Sequence, residues 1–350
     1  RFKPVLKMIE EDDYLDYDLV VTGIHLKADH GNTIDEIIRD GFKIFSTFEM
    51  FTENIDSGAA MTRSLGIAIQ KITYELEKSK PDLILSGFDI AANFAVTIAG
   101  AHMNIPVVHI QGGEVSGTID ESIRHAMSKF AHYHLVSNAD AQQRLIKMGE
   151  KPDHIYTVGC PSIDSIINIE SIDKNYVLKK YNLKDPYAIV LQHPVTSEIQ
   201  NTEQQINETL FAITESGINA LVIYPNNDAG YTSIIKIIKQ MDNIQHVSTL
   251  ELKEYVNLLR HSNMLIGNSS SGIHETATFN IPTINIGTRQ TGRLRPSNVI
   301  DVDYDKEKIK DAIKLCLNSQ DFLNKCKNCQ NPYGDGHSSD RIVNVLKNID

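Results

Sequence analysis

The side chains best suited to chemistry in this 350-residue sequence sit in short polar stretches, each following a short apolar run. Ser86-Gly87-Phe88-Asp89 ends on a carboxylate that can cap the next helix or, with its pKa pushed toward neutrality, act as a general acid or base. Between Pro106 and His125, a valine-rich run leads into Gln111-Gly112-Gly113-Glu114, where a glycine pair permits close backbone approach to a ligand. A helix start follows, with Thr118 and Glu121 at capping-box spacing and Asp120 four residues before Arg124. Ile119, Ile123, Ala126, Met127 and Phe130 form one apolar stripe on that helix, and this places Asp120, Glu121 and Arg124 off the buried face.

The second half of the chain carries three such stretches. Leu191-Gln192-His193-Pro194 sets a histidine at a strand end, before a proline that cannot continue regular structure; it is either a structural residue or a catalytic one. Asn268-Ser269-Ser270-Ser271-Gly272 follows a strand and opens a helix with Glu275 in its first turn. Free N–H groups and hydroxyls there suit an anion, although a plain serine N-cap has the same letters and no Gly-Lys-Ser/Thr of a Walker loop follows. Gly287-Thr288-Arg289-Gln290-Thr291-Gly292-Arg293 is a glycine-flanked basic loop, which reads as a bidentate phosphate clamp or as a solvated turn.

Strands and helices must alternate to place these stretches. Strands are expected at 18–22, 42–46, 83–86, 107–110, 133–137 and 155–158, and again at 188–192, 220–224, 244–247, 264–266 and 283–286. That alternation implies βαβ units and parallel sheets in an α/β fold, with ligands at the carboxyl ends of the strands. The looser segment 162–185 reads as a crossing between two halves, and two α/β halves joined once suggest a ligand held between them. Domains are expected at 1–165 and 166–335, with a C-terminal helix in 336–350 packing back on the first. The chain opens on helix, and a doubly wound domain normally begins with a strand and a glycine-bearing loop, so a short N-terminal piece is expected upstream.

Composition narrows the classes. With 41% hydrophobic and 23% charged residues the chain reads as a globular protein, and no apolar run approaches the roughly 18 residues of a membrane span, so no membrane partner and a cytoplasmic location are expected. A formal net charge of -11 argues against a general nucleic-acid binder while permitting a local pocket for a small anion. Four cysteines are no disulfide framework, and Cys326-x-x-Cys329 lacks a second pair, so no metal site is expected. His25 and His30 lie in a long loop without ligand spacing.

Taken together these stretches resemble the hydrolysing UDP-N-acetylglucosamine 2-epimerases of sialic-acid biosynthesis and their bacterial relatives serving legionaminic acid. The resemblance runs from Arg1 to the C-terminal helix. It rests on the 21–26 motif Val-Thr-Gly-Ile-His-Leu, the 109–125 stretch, Val158-Gly-Cys-Pro-Ser, Leu191-Gln-His-Pro-Val-Thr, Pro225-Asn226, Gly267-Asn-Ser-Ser-Ser-Gly and Gly287-Thr-Arg-Gln. It implies a GT-B architecture: two Rossmann-like domains facing a central cleft, with the nucleotide on the C-terminal one. It further implies cofactor-independent and metal-independent elimination of UDP from a nucleotide sugar to a 2-acetamidoglucal, followed by hydration to the free 2-epimer. A homodimer or homotetramer is implied too.

Carried over by the resemblance, Asp89 and Asp120 are the acid/base candidates, with Glu114 as a further carboxylate, and Arg124 orients Asp120 or meets substrate. His193 contacts the diphosphate or leaving oxygen, Ser269 and Ser270 hold phosphates, Glu275 takes the ribose hydroxyls, and Arg289 meets the substrate. Gln111, Gly113, Asn226 and Gly272 complete the expected binding surface. Two departures stand out: Gln111 occupies a position where the family commonly has glutamate, and an amide carries no proton at ordinary pH; the family's N-terminal basic loop is largely absent. UDP-N-acetylglucosamine is the expected substrate. A nucleotide-linked 2,4-diacetamido-2,4,6-trideoxyhexose is the nearest alternative, and a glycosyltransferase or a non-catalytic sugar-nucleotide sensor are alternatives of another class.

Overall fold

The computed structural model describes residues 2–27, 33–51, 57–88, 90–226 and 228–349. Asp89, Arg1 and His30, singled out above, lie outside the described residues. The chain divides into two compact units: 1–114 with 119–164 and 334–350, and 115–118 with 165–333.

Among the described residues of the first unit, six short strands form where the apolar runs lie: β1 (Leu19–Thr22), β2 (Ile44–Phe48), β3 (Ile84–Gly87), β4 (Val107–Ile110), β5 (Tyr133–Val136) and β6 (Ile155–Thr157). All recorded pairings are parallel, but they make two sheets: β1 pairs with β2, and the other four run in the order β3-β4-β5-β6. β4 is buried at every position, whereas β2 alternates between half-buried and exposed. Helices Lys3–Glu10 and Ser338–Leu346, from the two ends of the chain, bury Val5, Ile9, Ile342, Val343 and Leu346 against Val108, Ile110 and Leu135. Each such aliphatic side chain contributes about 1.5–3 kcal/mol through its removal from water. Val345 of the second helix is only partly buried. The start of the C-terminal helix is fixed by Asp164, whose two carboxylate oxygens accept the N–H groups of Ser338 (3.1 Å) and Ser339 (2.6 Å), satisfying donors that a helix start leaves open.

The described residues of the second unit form one sheet of six parallel strands: β7 (Tyr187–Leu191), β8 (Asn219–Ile223), β9 (Gln245–Val247), β10 (Met264–Gly267), β11 (Thr283–Ile286) and β12 (Val299–Val302). Their order, β12-β11-β10-β7-β8-β9, reverses direction between β7 and β10. That is the doubly wound arrangement, and its crevice for ligands lies at the carboxyl ends of the two strands flanking the reversal. β12 was not expected from the sequence. It is a four-residue edge strand with Asp301 inside it and no buried position, so it carries little of the apolar signal that marks the central strands. No helix among the described residues is long and apolar enough to cross a membrane.

Candidate active site

At the carboxyl end of β4 the backbone itself is shaped for close approach. Gln111 has φ +62 and Phe88, at the end of neighbouring β3, has φ +56; left-handed conformations in side-chain-bearing residues are sparsely populated and gather at functional sites. Gly113 (φ +76) must be glycine, because a Cβ there would lie 2.4 Å from the carbonyl oxygen of Ala141. Gln111 is buried and donates from Nε2 to Cys160 Sγ at 2.9 Å.

Glu114 is also buried, and its Oε1 accepts from Ser137 Oγ (2.9 Å) and Asn138 Nδ2 (3.2 Å). Asn138 in turn caps helix Ala139–Lys147 by accepting the N–H of Ala141 at 2.9 Å. The glutamate therefore ties the turn after β4 to the turn after β5. Two arginines reinforce it through backbone carbonyls: Arg124 Nη1 donates to Glu114 O (2.9 Å) and Arg144 Nη1 to Gly113 O (2.6 Å).

The helix after this turn, Ile119–Phe130, sits differently from its expected orientation. Its buried residues are Arg124, Met127 and Ser128, while Ile119 and Phe130 are 54% and 38% exposed. The guanidinium displaces the apolar stripe because it has the buried Glu114 carbonyl to satisfy, and Ser128 Oγ adds a bond to Arg124 O (3.0 Å) with His109 Nδ1 3.2 Å away. Asp120 lies in the first turn of this helix, half-buried.

In the second unit the polar groups converge on one buried side chain. Asn268 follows β10; its Oδ1 accepts the N–H of His193 (2.7 Å), its Nδ2 donates to His193 O (2.8 Å), and its own N–H bonds Leu191 O (3.2 Å). The ends of β7 and β10, the strands that flank the reversal, are thus laced together. Gly267 (φ +136) makes room for this, since a Cβ would sit 2.2 Å from Leu191 O. The carbonyl of Asn268 accepts from Gln290 Nε2 (2.8 Å) and Arg289 Nη1 (3.5 Å), and Asn268 Nδ2 also reaches the Tyr304 hydroxyl at 3.5 Å. Burial holds Tyr304 up at about 12, so it stays a neutral hydroxyl.

His193 Nδ1 accepts the N–H of Asn226 at 3.0 Å, which leaves Nε2 as the protonated, donating nitrogen of a neutral ring. Burial, and next the nearby Arg289 guanidinium, hold its pKa well below the ordinary 6.5. Arg289 also lies 3.6 Å from Asp228, which accepts from Asn226 Nδ2 at 2.7 Å. Asn226 Oδ1 is buried with no partner among the described residues, a condition that points to a ligand donor.

The serine turn is shorter than expected. Ser271–His274 is a single α-turn followed by a 3-10 turn, Thr276–Phe279, so Glu275 is the joint between two short turns and a long helix dipole is absent there. Ser269 Oγ accepts the N–H of Ser271 at 3.3 Å, Ser270 is half-buried, and Gly272 packs so tightly that a Cβ would approach Thr283 Cγ2 to 2.7 Å. Glu275 accepts from Ser271 Oγ, which also bonds the Tyr255 hydroxyl.

His193, Asn226 and Arg289 therefore meet around Asn268, and Gln111, Gly113, Glu114 and Arg124 meet at the end of β4. Asn268, Asp228, Gln290 and Tyr304 belong to the second cluster and were not picked out as site residues. Asn268 heads the Asn-Ser-Ser-Ser-Gly motif and was the one with a visible signal; Asp228 and Tyr304 carry none. Among the described residues no cluster of three or more His, Cys, Asp or Glu is placed to hold a metal ion.

The UDP-N-acetylglucosamine 2-epimerase family matches residues 7–347. A UDP-N,N'-diacetylbacillosamine 2-epimerase (hydrolyzing) of Legionella pneumophila is 35% identical over 353 residues, covering 99% of this chain and 92% of that protein. A UDP-N-acetylglucosamine 2-epimerase of Neisseria meningitidis serogroup B is 34% identical over 355 residues, covering 99% and 92%. Among solved structures, the UDP-GlcNAc 2-epimerase from Neisseria meningitidis bound to UDP-GlcNAc superposes with a TM-score of 0.84 at 18% identity, covering 99% of this chain and 96% of that one. The fold is the GT-B-like α/β architecture of these enzymes, and the chain belongs to the UDP-N-acetylglucosamine 2-epimerase family.

Proposed function

We propose that this protein is a hydrolysing 2-epimerase of a UDP-linked 2-acetamido sugar, with UDP-N-acetylglucosamine as substrate and free N-acetylmannosamine and UDP as products. The observation that carries the reading is the Asn268-centred cluster at the strand reversal: a neutral His193 fixed as an Nε2–H donor beside the Arg289 guanidinium. Such a pair offers a hydrogen bond and a positive charge to a diphosphate without needing a protonated histidine. Ser269 and Ser270 add hydroxyl donors on the same strand end.

The chemistry runs in two halves. A base removes the C2 proton as the C1–O bond breaks, and the electron pair leaves with UDP to give a 2-acetamidoglucal. Water then adds across the double bond, its oxygen to C1 and a proton to the opposite face of C2. Asp120 and Asp89 are the acid/base pair in this reading, and His193 and Arg289 stabilise charge on the departing diphosphate. Glu114 and Arg124 act by fixing the turn that carries Asp120, in keeping with their burial and bonds.

A second reading has the 2,4-diacetamido-2,4,6-trideoxy substrate. It is favoured by relatives 35% and 32% identical that carry the name of a hydrolysing diacetylbacillosamine 2-epimerase. Purified protein incubated with each sugar nucleotide, with the products followed by proton NMR, separates the two by which free 2-epimer is released. Release of neither sugar without an added acceptor overturns both and favours glycosyl transfer or sensing.

A further inference from the structure

The carboxylate of Glu275 is not set by its own backbone alone. Ser271 Oγ donates to Glu275 Oε2, and Tyr255, from helix Leu252–His261, meets the same Ser271 Oγ. A carboxylate only accepts, so the direction of the chain is fixed: the Tyr255 O–H donates to Ser271 Oγ, whose own proton goes to Glu275 Oε2. Ser271 is buried, and Tyr255 packs against two apolar clusters, one that includes Leu221 and Leu258 and one that includes Leu265 and Ile281. Burial and the Glu275 charge hold the Tyr255 hydroxyl protonated, its pKa raised well above 10. One oxygen of Glu275, Oε2, is thereby engaged by Ser271.

We propose that Tyr255 and Ser271 are positioning residues that hold the Glu275 carboxylate in a single rotamer, so that its other oxygen accepts from a vicinal diol and the site selects ribose-bearing nucleotides. This rests on the reading that Glu275 meets the ribose of a bound UDP. Glu275 sits at the joint of two short turns, its N–H bonded to Ser271 O and its carbonyl to Thr278 N–H, so the backbone there is fixed and the hydroxyl relay is what orients the carboxylate. Hydrogen-bond chains ending on an ion polarise each member and strengthen together, which suits a device whose purpose is to aim a charge.

The test measures UDP and 2',3'-dideoxy-UDP affinity by calorimetry on the intact protein, for wild type, Glu275→Gln, Ser271→Ala and Tyr255→Phe. Glu275→Gln reports on the underlying reading: it should weaken UDP by about tenfold and barely change the dideoxy nucleotide. Ser271→Ala should reproduce most of that selective loss, and Tyr255→Phe about a threefold share of it, with KM for the nucleotide sugar rising while kcat holds. If Glu275→Gln weakens both nucleotides equally, Glu275 is not at the ribose and the proposal falls with that reading. If Glu275→Gln is selective while both relay variants leave the UDP to dideoxy-UDP ratio at the wild-type value, the ribose reading stands and the positioning role is overturned.

Discussion

The two polar strand ends of this molecule are built by opposite means. At the end of β4 the order comes from the main chain: positive φ at Gln111 and Gly113, and carbonyls of Gly113 and Glu114 pinned by Arg144 and Arg124. At the ends of β7 and β10 it comes from one residue, Asn268, whose side-chain amide bonds His193 and Tyr304 and whose carbonyl bonds Gln290 and Arg289. The first device spends its buried charged groups, Glu114 and Arg124, on holding a turn, and leaves Asp120 on the next helix as the nearby carboxylate in a half-buried place. The second concentrates its risk in a single residue. Loss of one bond at β4 leaves others in place, whereas loss of the Asn268 amide undoes several at once.

That contrast gives its largest expected effect at Asp120. Asp120→Asn should cut turnover by on the order of a hundredfold or more, the usual scale for a lost acid/base, while UDP affinity measured by calorimetry stays near wild type. An equal loss of binding would make Asp120 another structural member of the β4 turn and erase the difference between it and Glu114.

Next in size is the hub. Asn268→Leu keeps the branching of the side chain with bulkier methyl ends and removes the amide, leaving the His193 N–H and the Tyr304 hydroxyl without their partner. It should cost roughly 2–3 kcal/mol in chemical denaturation and weaken UDP binding with it. A variant with full stability and full affinity would show that the strand ends are laced by the backbone bond to Leu191 alone. Smaller again is Glu114→Ala, which strips an acceptor from the Ser137 hydroxyl and the Asn138 amide for roughly 1–2 kcal/mol. Glu114→Gln retains an acceptor oxygen and should recover most of that stability along with turnover. Were Glu114→Gln as stable as wild type yet inactive, Glu114 would carry a proton after all.

The same contrast explains what the sequence disclosed. Strands such as Val107–Ile110 and Thr283–Ile286 were legible because their valines and isoleucines mark them although buried polar His109, Thr283 and Asn285 interrupt, and the motif starts at His193 and Asn268 were legible because they follow similar runs. The division of the first unit into two sheets was not, since pairing depends on which edge is covered and periodicity is silent on that. Nor was the inward turn of Arg124: the stripe of Ile119, Ile123 and Phe130 has the right spacing for burial, but a buried carbonyl 2.9 Å away outweighs it. Partners distant in the chain, such as Tyr304 to Asn268 or Tyr255 to Ser271, leave no trace in local spacing at all.

The finest comparison is between one histidine of each unit. Both His193 and His134 have pKa values below the ordinary 6.5, and burial is the main cause in each. Their neighbours differ in sign: Arg289 pushes His193 further down, whereas Glu150, 3.2 Å from His134 Nε2, opposes the shift. Because the folded values are depressed, the unfolded chain takes up protons near pH 6.5 that the folded chain refuses. Both groups therefore contribute full stability above that pH, and the contribution drains away as pH falls below it. Thermal midpoints should drop between about pH 7.5 and about pH 5.5, and the two sites can be separated by imidazole Hε1 titration in NMR. Arg289→Gln should raise the His193 pKa and flatten its share of the slope, while Glu150→Gln should lower the His134 pKa and extend its share to lower pH. A His193 titration indifferent to Arg289→Gln would mean that the guanidinium does not face the ring, and the diphosphate reading of the second cluster would lose its positive charge.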